Sequence, residues 1–156
     1  MSDDSGTSPW GQTLQEANEM ADRLRSGGYD VVTVRAGHVA PLAPAEGDDD
    51  RFGLVYVAPD SVAESLPALV ERADLDEYEV FRRAVGGDLF VLVRLTDADA
   101  RAAVLLVGAV TRASAEPLVD AARQRGVVHS HVELLDGTRL LSVRHDDPAA
   151  FFPALE

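Results

Sequence analysis

Two histidines separated by one residue are the side chains whose chemistry could bind a metal. His129 and His131 are predicted to lie on one side of a strand, because side chains alternate between its two faces. Glu133 continues that row, and two imidazoles with a carboxylate could bind zinc, iron(II) or nickel. Three such positions span about 13 Å, so the third ligand would have to come from elsewhere. The alternative, which we favour, is an exposed and solvated His pair; His145 is expected on the opposite face and is a poor third ligand.

A second candidate site combines charged and aromatic side chains on the reverse faces of two predicted hairpins. Glu79 is expected opposite Arg94, either as a surface ion pair between strands or as part of a ligand site. Arg94 and Arg144 occupy matching positions in the two hairpins and could hold an anion together. The whole candidate ligand-binding set is Glu79, Phe81, Arg94, His129 and Arg144.

Catalytic signatures do not accompany these residues. The sequence contains no cysteine, which excludes disulfides, thiolate nucleophiles and cysteine-based metal sites. It also contains no GxSxG elbow, no P-loop and no GxGxxG loop. The sequence therefore favours a non-enzymatic protein over an enzyme, and it identifies no cofactor.

The charge composition indicates the solvent in which the protein works. The 156 residues include 27 Asp and Glu and 14 basic residues, all of them Arg, for a net charge of −13. Asp outnumbers Glu, 17 to 10. At about 1 M salt the Debye length falls to about 3 Å, which screens the repulsion between carboxylates. The composition predicts a halophilic protein; a high-GC genome would explain the lack of Lys but not the excess of acid.

The same charge argues against nucleic acid as a partner, since a net −13 opposes phosphate binding and Arg82-Arg83 is an isolated basic pair. No apolar run approaches the roughly 20 residues of a membrane span, and the first ten residues lack a secretory signal. We therefore expect a cytoplasmic protein with no membrane partner.

The net charge is −7 over residues 1–50, −5 over 51–100 and −1 over 101–156, so the last third is expected to be more buried or to form a contact surface.

The first fifty residues predict a helix, a strand and an acidic loop. Ser8-Pro9 starts a helix that Gly27-Gly28 ends. A strand is predicted over 29–35, and residues 36–50 are expected to form a loop because they contain two Pro and two Gly. Asp48-Asp49-Asp50 is expected to be a solvated acidic turn rather than a calcium site.

Residues 51–100 and 101–150 predict two copies of one arrangement: strand, helix, strand, strand. The elements of the first copy are a strand at 53–58, a helix at 61–72 with a capping box from Ser61 to Glu64, and strands at 78–85 and 88–95. Those of the second copy are a strand at 103–110, a helix at 113–125, and strands at 127–135 and 138–145. Two-residue turns at Gly86-Gly87 and Asp136-Gly137 would close the hairpins. They would place His129 opposite Arg144 and Leu135 opposite Thr138.

These elements predict a single α+β domain over residues 1–156. Its N-terminal helix and strand precede two strand–helix–strand–strand repeats, which form a mainly antiparallel sheet with helices on one face. Residues 151–156 form the end of a short C-terminal helix that starts at Asp147-Pro148. The mixed reverse faces of the hairpins are either plain surface or the lining of a cleft between the repeats.

The chain resembles a family of small acidic haloarchaeal proteins of unknown function over nearly its whole length. The resemblance rests on SPWGQTLQEANEMADRLRSGGYDVVTVRAGHVAPL, DDDRFGLVYVAPD, GGDLFVLV and VRHDDPAAFF. It implies an extremely halophilic archaeal source and a cytoplasmic protein, and it implies no activity, cofactor or catalytic residues. The duplicated element order also resembles, in topology only, the gyrase-inhibitor-like ligand-binding fold.

Three classes of function fit these observations. The first is a non-enzymatic module that binds a small molecule or a partner protein in a cleft between the repeats. The second is a homodimer or protein–protein interaction module, which would use exposed strand edges or the near-neutral second repeat. The third is a metal-assisted enzyme that uses His129 and His131.

Overall fold

The computed structural model describes residues 8–44 and 52–155, which form three α-helices and two four-stranded β-sheets. The helices are α1 (Pro9–Ser26), α2 (Ser65–Glu71) and α3 (Arg112–Arg125). The strands are β1 (Asp30–His38), β2 (Ala40–Leu42), β3 (Gly53–Val57), β4 (Glu77–Val85), β5 (Asp88–Asp97), β6 (Ala102–Thr111), β7 (Val128–Glu133) and β8 (Arg139–His145). Short 3-10 turns lie at Asp60–Val62, Pro148–Ala150 and Pro153–Leu155.

The two sheets are both mixed. Sheet A has the strand order β1-β6-β5-β4, and sheet B has the order β2-β3-β7-β8. β1 pairs with β6 and β3 pairs with β7 in parallel, whereas the other neighbours are antiparallel. The predicted α+β class and the mainly antiparallel pairing are therefore confirmed.

Each predicted repeat contains strand, helix, strand and strand in that order, but its strands are divided between the sheets. In the first repeat, β3 lies in sheet B and the β4–β5 hairpin lies in sheet A. In the second repeat, β6 lies in sheet A and the β7–β8 hairpin lies in sheet B. β6 is antiparallel to β5, whereas β3 is parallel to β7, so the two repeats join each other's hairpins in different ways.

One apolar core fills the space between the two sheets, and α2 and α3 contribute to it. Its fully buried side chains include Val93 and Leu95 of β5, Leu54 and Tyr56 of β3, Val128 and Val132 of β7, Leu66 of α2 and Leu118 of α3. Phe151 and Phe152 are also buried there, at the end of a 3-10 turn rather than in the predicted C-terminal helix. Pro153 follows directly and lacks the N–H that a longer helix would need.

Helix α1 covers the outer face of sheet A, the face turned away from this core. Ser8 caps the helix by accepting a hydrogen bond from the N–H of Gly11 at 3.0 Å, and Pro9 is the first helical residue, as predicted. The helix ends before Gly28, whose φ is +90°. Its buried side chains pack on Leu92 of β5 and on Leu105 and Val107 of β6. Within the described residues, no helix combines the length and apolarity that crossing a membrane requires.

The prediction of a loop at 36–50 is wrong in its first half. β1 continues to His38, and β2 follows at Ala40–Leu42. The chain passes from sheet A to sheet B at Val39, whose N–H donates to the carbonyl of Ala109 at 2.8 Å. Pro41 misled the prediction because β2 is an edge strand, where proline is tolerated. The Asp48-Asp49-Asp50 turn lies outside the described residues.

The prediction of one helix over 61–72 is also wrong. A 3-10 turn comes first, and α2 begins only at Ser65; no side-chain hydrogen bond caps either element, so the Ser61–Glu64 capping box does not form. Pro67 fits this late start, because a helix that began at Ser61 would place it beyond the first turn, where its missing N–H costs a backbone hydrogen bond. Helix α3 nevertheless contains Pro117 in its interior.

The first hairpin has the predicted register. Val85 pairs with Asp88 and Glu79 with Arg94. Gly86 has a φ of +58°, which the first central residue of a type II′ turn requires.

The second hairpin has the predicted pairing of His129 with Arg144 but not that of Leu135 with Thr138. A register shift between Val132 and Glu133 ends the regular ladder early. Leu135 then lies in the turn, where it is 89% exposed. A one-residue bulge of this kind leaves no signal in the alternation of apolar residues before it.

Candidate functional site

The structure divides the predicted ligand-binding set between two surfaces. Glu79, Phe81 and Arg94 lie on the outer face of sheet A, whereas His129 and Arg144 lie on the outer face of sheet B. Because the inner faces share the core, the two outer faces point away from each other. The five residues are therefore not brought together in one cleft.

The outer face of sheet A carries a groove beside helix α1, which we call the helix groove. Its cavity volume is about 240 Å³. Its lining residues are Thr13 and Glu16 of α1, Phe81, Arg82 and Arg83 of β4, and Phe90 and Leu92 of β5. Of these, only Phe81 belongs to the predicted set, because the packing of α1 on this face has no local sequence signal.

Arg83 is the charged side chain that distinguishes the helix groove. Its Nη2 lies 2.8 Å from Oε2 of Glu16, so the ion pair joins β4 to α1. Its Nη1 is buried and has no hydrogen-bond partner among residues 8–44 and 52–155. Buried donors in proteins are nearly always paired, so this atom marks a place where a polar group is missing.

The remaining walls of the helix groove are apolar or aromatic. Phe90 and Leu92 are buried at its floor, and Phe81 is 36% exposed. Outside the groove, the guanidinium carbon of Arg94 lies 5.9 Å from the centroid of the Phe81 ring, within cation–π range. Arg94 also forms the predicted ion pair with Glu79. The groove therefore has a largely apolar surface with one buried, unpartnered guanidinium nitrogen in its wall.

On the outer face of sheet B, the two candidate metal ligands lie face to face. The rings of His129 and His131 are nearly parallel, with centroids 5.6 Å apart. His131 Nδ1 lies 2.8 Å from Ser142 Oγ, and the side chain is fully buried, so the expectation of an exposed pair is wrong for this residue.

The third ligand that a metal site would need is not found within the described residues, where no group of three His, Asp or Glu side chains gathers. Glu133, the carboxylate in the same row, forms an ion pair with Arg139. The His pair thus supplies two ligands and no complete metal site in the described part of the chain.

A polar cluster lies inside the core, behind the His pair. His145 faces the core, as predicted, and its Nε2 lies 2.8 Å from Ser130 Oγ. Burial, and to a lesser degree the charge of His129, lowers the pKa of His145 from 6.5 to about 4. Burial raises the pKa of Tyr56 above its usual range, and nearby Ser130 only partly offsets this. His145 is therefore neutral at pH 7.

Two atoms of this cluster, His145 Nδ1 and Tyr56 Oη, make no hydrogen bond of normal geometry with any described residue. Both lie in the apolar core, where an unpaired polar atom costs about 1–3 kcal/mol. The cluster is closed to solvent, so we assign it a role in stability rather than in binding.

Comparison with known sequences identifies one family. The sequence model of a family of unknown function, DUF7529, matches residues 2–153. No curated protein and no solved structure matches the chain. The match covers nearly the whole sequence, in agreement with the resemblance to an uncharacterised family, whereas the gyrase-inhibitor-like topology stays a prediction. The chain belongs to the family of unknown function DUF7529.

Proposed function

We propose that this protein is a non-enzymatic binding module whose helix groove takes a small planar molecule with an uncharged carbonyl group. The buried, unpartnered Nη1 of Arg83 is the observation that carries this proposal. Nη1 is closed to solvent, so the Arg83 side chain would turn toward the ligand, whose carbonyl oxygen would then accept the missing hydrogen bond. The planar body would cover Phe81 and Phe90.

The preference for an uncharged acceptor follows from the charges around the groove. Arg83 is already neutralised by Glu16, and Arg94 by Glu79. A carboxylate ligand would therefore meet the carboxylates of Glu16 and Glu79 as well as their arginine partners. A carbonyl gains the hydrogen bond without that repulsion.

The proposed solvent supports the same ligand class. We propose that the protein works in a cytoplasm of molar salt, on the basis of its net charge of −13 and its Lys-free composition. Salt at that concentration screens long-range attraction between a charged ligand and an exposed site. Apolar contact combined with a short hydrogen bond is screened much less.

The experiment compares benzamide with benzoate, which have the same shape and differ in charge. Two-dimensional NMR follows the titration of each compound. We expect benzamide to shift the resonances of Phe81 and Phe90, and we expect benzoate to bind with lower affinity. Arg83→Met keeps the aliphatic stem but removes the guanidinium, and it should weaken benzamide binding about tenfold, the effect of one hydrogen bond of about 1.4 kcal/mol.

The matched control is Arg144→Met on the outer face of sheet B, where the guanidinium is exposed and pairs with Asp146. This variant should bind benzamide as the original protein does. Equal binding by the Arg83→Met variant, or shifts confined to sheet B, would exclude the helix groove as the site.

A further inference from the structure

Strand β4 is an edge of sheet A, and its nine residues pair with β5 on one side only. The type II′ turn closes on Val85 and Asp88, so the odd-numbered residues of β4 exchange hydrogen bonds with β5. The backbone groups of the even-numbered residues then point away from the sheet. For Tyr78, Val80 and Ala84, these groups have no backbone partner within the described part of the chain.

The charges of β4 are divided along its length. Glu77 and Glu79 lie in the first half of the strand, and Arg82 and Arg83 lie in the second half. An antiparallel copy of the same strand would bring the acidic half of one chain against the basic half of the other. Opposite charges across neighbouring strands stabilise a sheet, and like charges destabilise it.

This complementarity selects one register. When two copies of β4 overlap over all nine residues, Phe81 lies opposite Phe81 of the second copy, and Glu79 lies opposite its Arg83. Within each copy Glu79 already pairs with Arg94 and Arg83 with Glu16, so this register extends both ion pairs into one row of alternating charge. The even-numbered residues then form the hydrogen-bonded pairs, because their backbone groups point away from β5. Phe81 and Glu79 fall in the other class of pair, in which facing side chains approach most closely.

Other registers are penalised by like charges. Centring the pairing on Glu79 would place two carboxylates opposite each other, and centring it on Arg82 would do the same with two guanidinium groups. The register centred on Val80 pairs fewer residues of the two strands than the full overlap does.

The other edge strands lack these properties. β8 contains Arg139 and Arg144 but no acidic residue, so an antiparallel copy gains no ion pair. β1 is interrupted by a register shift between Arg35 and Gly37, and β2 has only three residues. We propose that the protein forms a homodimer in which β4 pairs antiparallel with β4 of a second copy, joining two copies of sheet A into one eight-stranded sheet.

The first test is sedimentation equilibrium of the full chain with amide hydrogen exchange. At about 200 µM the protein should have twice the monomer mass and should dissociate on dilution. The amides of Tyr78, Val80 and Ala84 should exchange at least about tenfold more slowly in the concentrated sample than in the dilute one. A protein that is monomeric at every concentration, or protection confined to β8 or β1, would overturn the proposal.

Variants at Val80 separate the backbone edge from the side chain. Val80→Pro removes an N–H that points away from β5, so the monomer keeps its ladder while the dimer loses a hydrogen-bonded pair. Val80→Ala shortens the side chain but keeps that N–H. We expect the Pro variant to shift the monomer–dimer midpoint at least about tenfold toward the monomer, and the Ala variant to dimerise.

Ala84→Pro is a second variant with the same logic, at an exposed residue, in case Val80→Pro fails to fold. Dimerisation of a folded proline variant with unchanged affinity would contradict pairing through β4. Phe81 and Arg83 belong to both the helix groove and the proposed dimer interface, whereas Val80 and Ala84 do not line the groove. Benzamide binding by a monomeric proline variant therefore tests the proposed function separately from the dimer.

Discussion

The imidazole of His145 and the phenol ring of Tyr78 are in edge-to-face contact, with centroids 4.4 Å apart. His145 ends β8 of sheet B, and Tyr78 lies in β4 of sheet A, so this contact joins the two sheets at their far edges. Phe151 packs against both rings, at 4.7 Å from His145 and 6.3 Å from Tyr78. A charged imidazole would be poorly solvated among these aromatic rings. The stability of the contact between the two sheets should therefore depend on pH.

The first prediction is a loss of stability between about pH 6.5 and pH 4 that depends on His145. Above this range His145 is neutral in both the folded and the unfolded chain. As the pH falls through it, the unfolded chain takes up a proton that the folded protein excludes, because burial lowers the folded pKa to about 4. The free energy of unfolding should fall by about 3 kcal/mol from this residue alone. Urea unfolding across this pH range measures the effect.

The control variants for this prediction are His145→Phe and His38→Gln. The Phe variant keeps a ring in the core but cannot titrate, so its stability should depend less on pH. His38 is exposed at the end of β1, and its substitution should leave the pH dependence unchanged. Equal acid sensitivity in the His145→Phe variant and the original protein would contradict the assignment.

The second prediction concerns Tyr56, whose hydroxyl is buried without a hydrogen bond of normal geometry. Ser130 Oγ lies nearby and is hydrogen-bonded to His145, but no bond of normal geometry joins it to the Tyr56 hydroxyl. Tyr56→Phe removes the unpaired hydroxyl and keeps the ring, so it should stabilise the protein by about 1 kcal/mol. Thermal unfolding at pH 7 is the measurement. A clear loss of stability would instead mean that the hydroxyl makes a stabilising hydrogen bond in the folded protein.

The third prediction concerns Gly108 of β6, where the sheets approach closely. A Cβ atom at this position would lie 2.1 Å from Cγ2 of Val39 and 3.2 Å from the carbonyl oxygen of Gly37. Val39 is buried and cannot turn aside, so Gly108→Ala should destabilise the protein by about 1–3 kcal/mol. Chemical denaturation provides the value.

A double variant checks the origin of that loss. Val39→Ala removes the clashing methyl group, so the pair Val39→Ala and Gly108→Ala should be coupled by about 1 kcal/mol or more. Gly87→Ala is the neutral control, because nothing lies within 4 Å of a Cβ there and its φ is not left-handed. Additive losses in the double variant would show that the contact with Val39 is not the cause.

The fourth prediction tests the proposed halophilic solvent. Raising KCl from about 0.1 M to about 1 M shortens the Debye length from about 10 Å to about 3 Å and weakens repulsion among the carboxylates. The melting temperature should rise over this range and should rise similarly in NaCl. A melting temperature that falls or stays constant would contradict a salt-dependent compact state.

Local chemistry explains which parts of the fold could be predicted. The cap at Ser8, the turn at Gly86-Gly87 and the pairing of Glu79 with Arg94 depend on residues close in sequence, and the structure has all three. Pro67 is a local signal for the late start of α2, although α3 contains Pro117 in its interior. The passage of the chain between sheets at Val39 was not, since alternation shows that a strand has two faces but not which sheet it joins.

The candidate site was predicted only in part for the same reason. The hairpin register predicts the face on which Phe81 and Arg94 lie. Glu16, however, belongs to helix α1 and is 67 residues away in sequence from its partner Arg83. No spacing rule connects two residues so far apart. The outer faces of the two hairpins point away from each other because the hairpins lie in different sheets, and local sequence does not show which sheet a hairpin joins.

The division of each repeat between the sheets has a consequence for how the chain can be cut. A fragment ending near residue 100 would contain β3 without its neighbour β7, and the β4–β5 hairpin without β6. The complementary fragment would hold β6 and the β7–β8 hairpin with their own neighbours missing. Neither fragment contains a complete sheet. The two fragments should therefore be unstructured when separate and should regain structure only when they associate. We therefore expect the two predicted repeats to fold together as one cooperative unit.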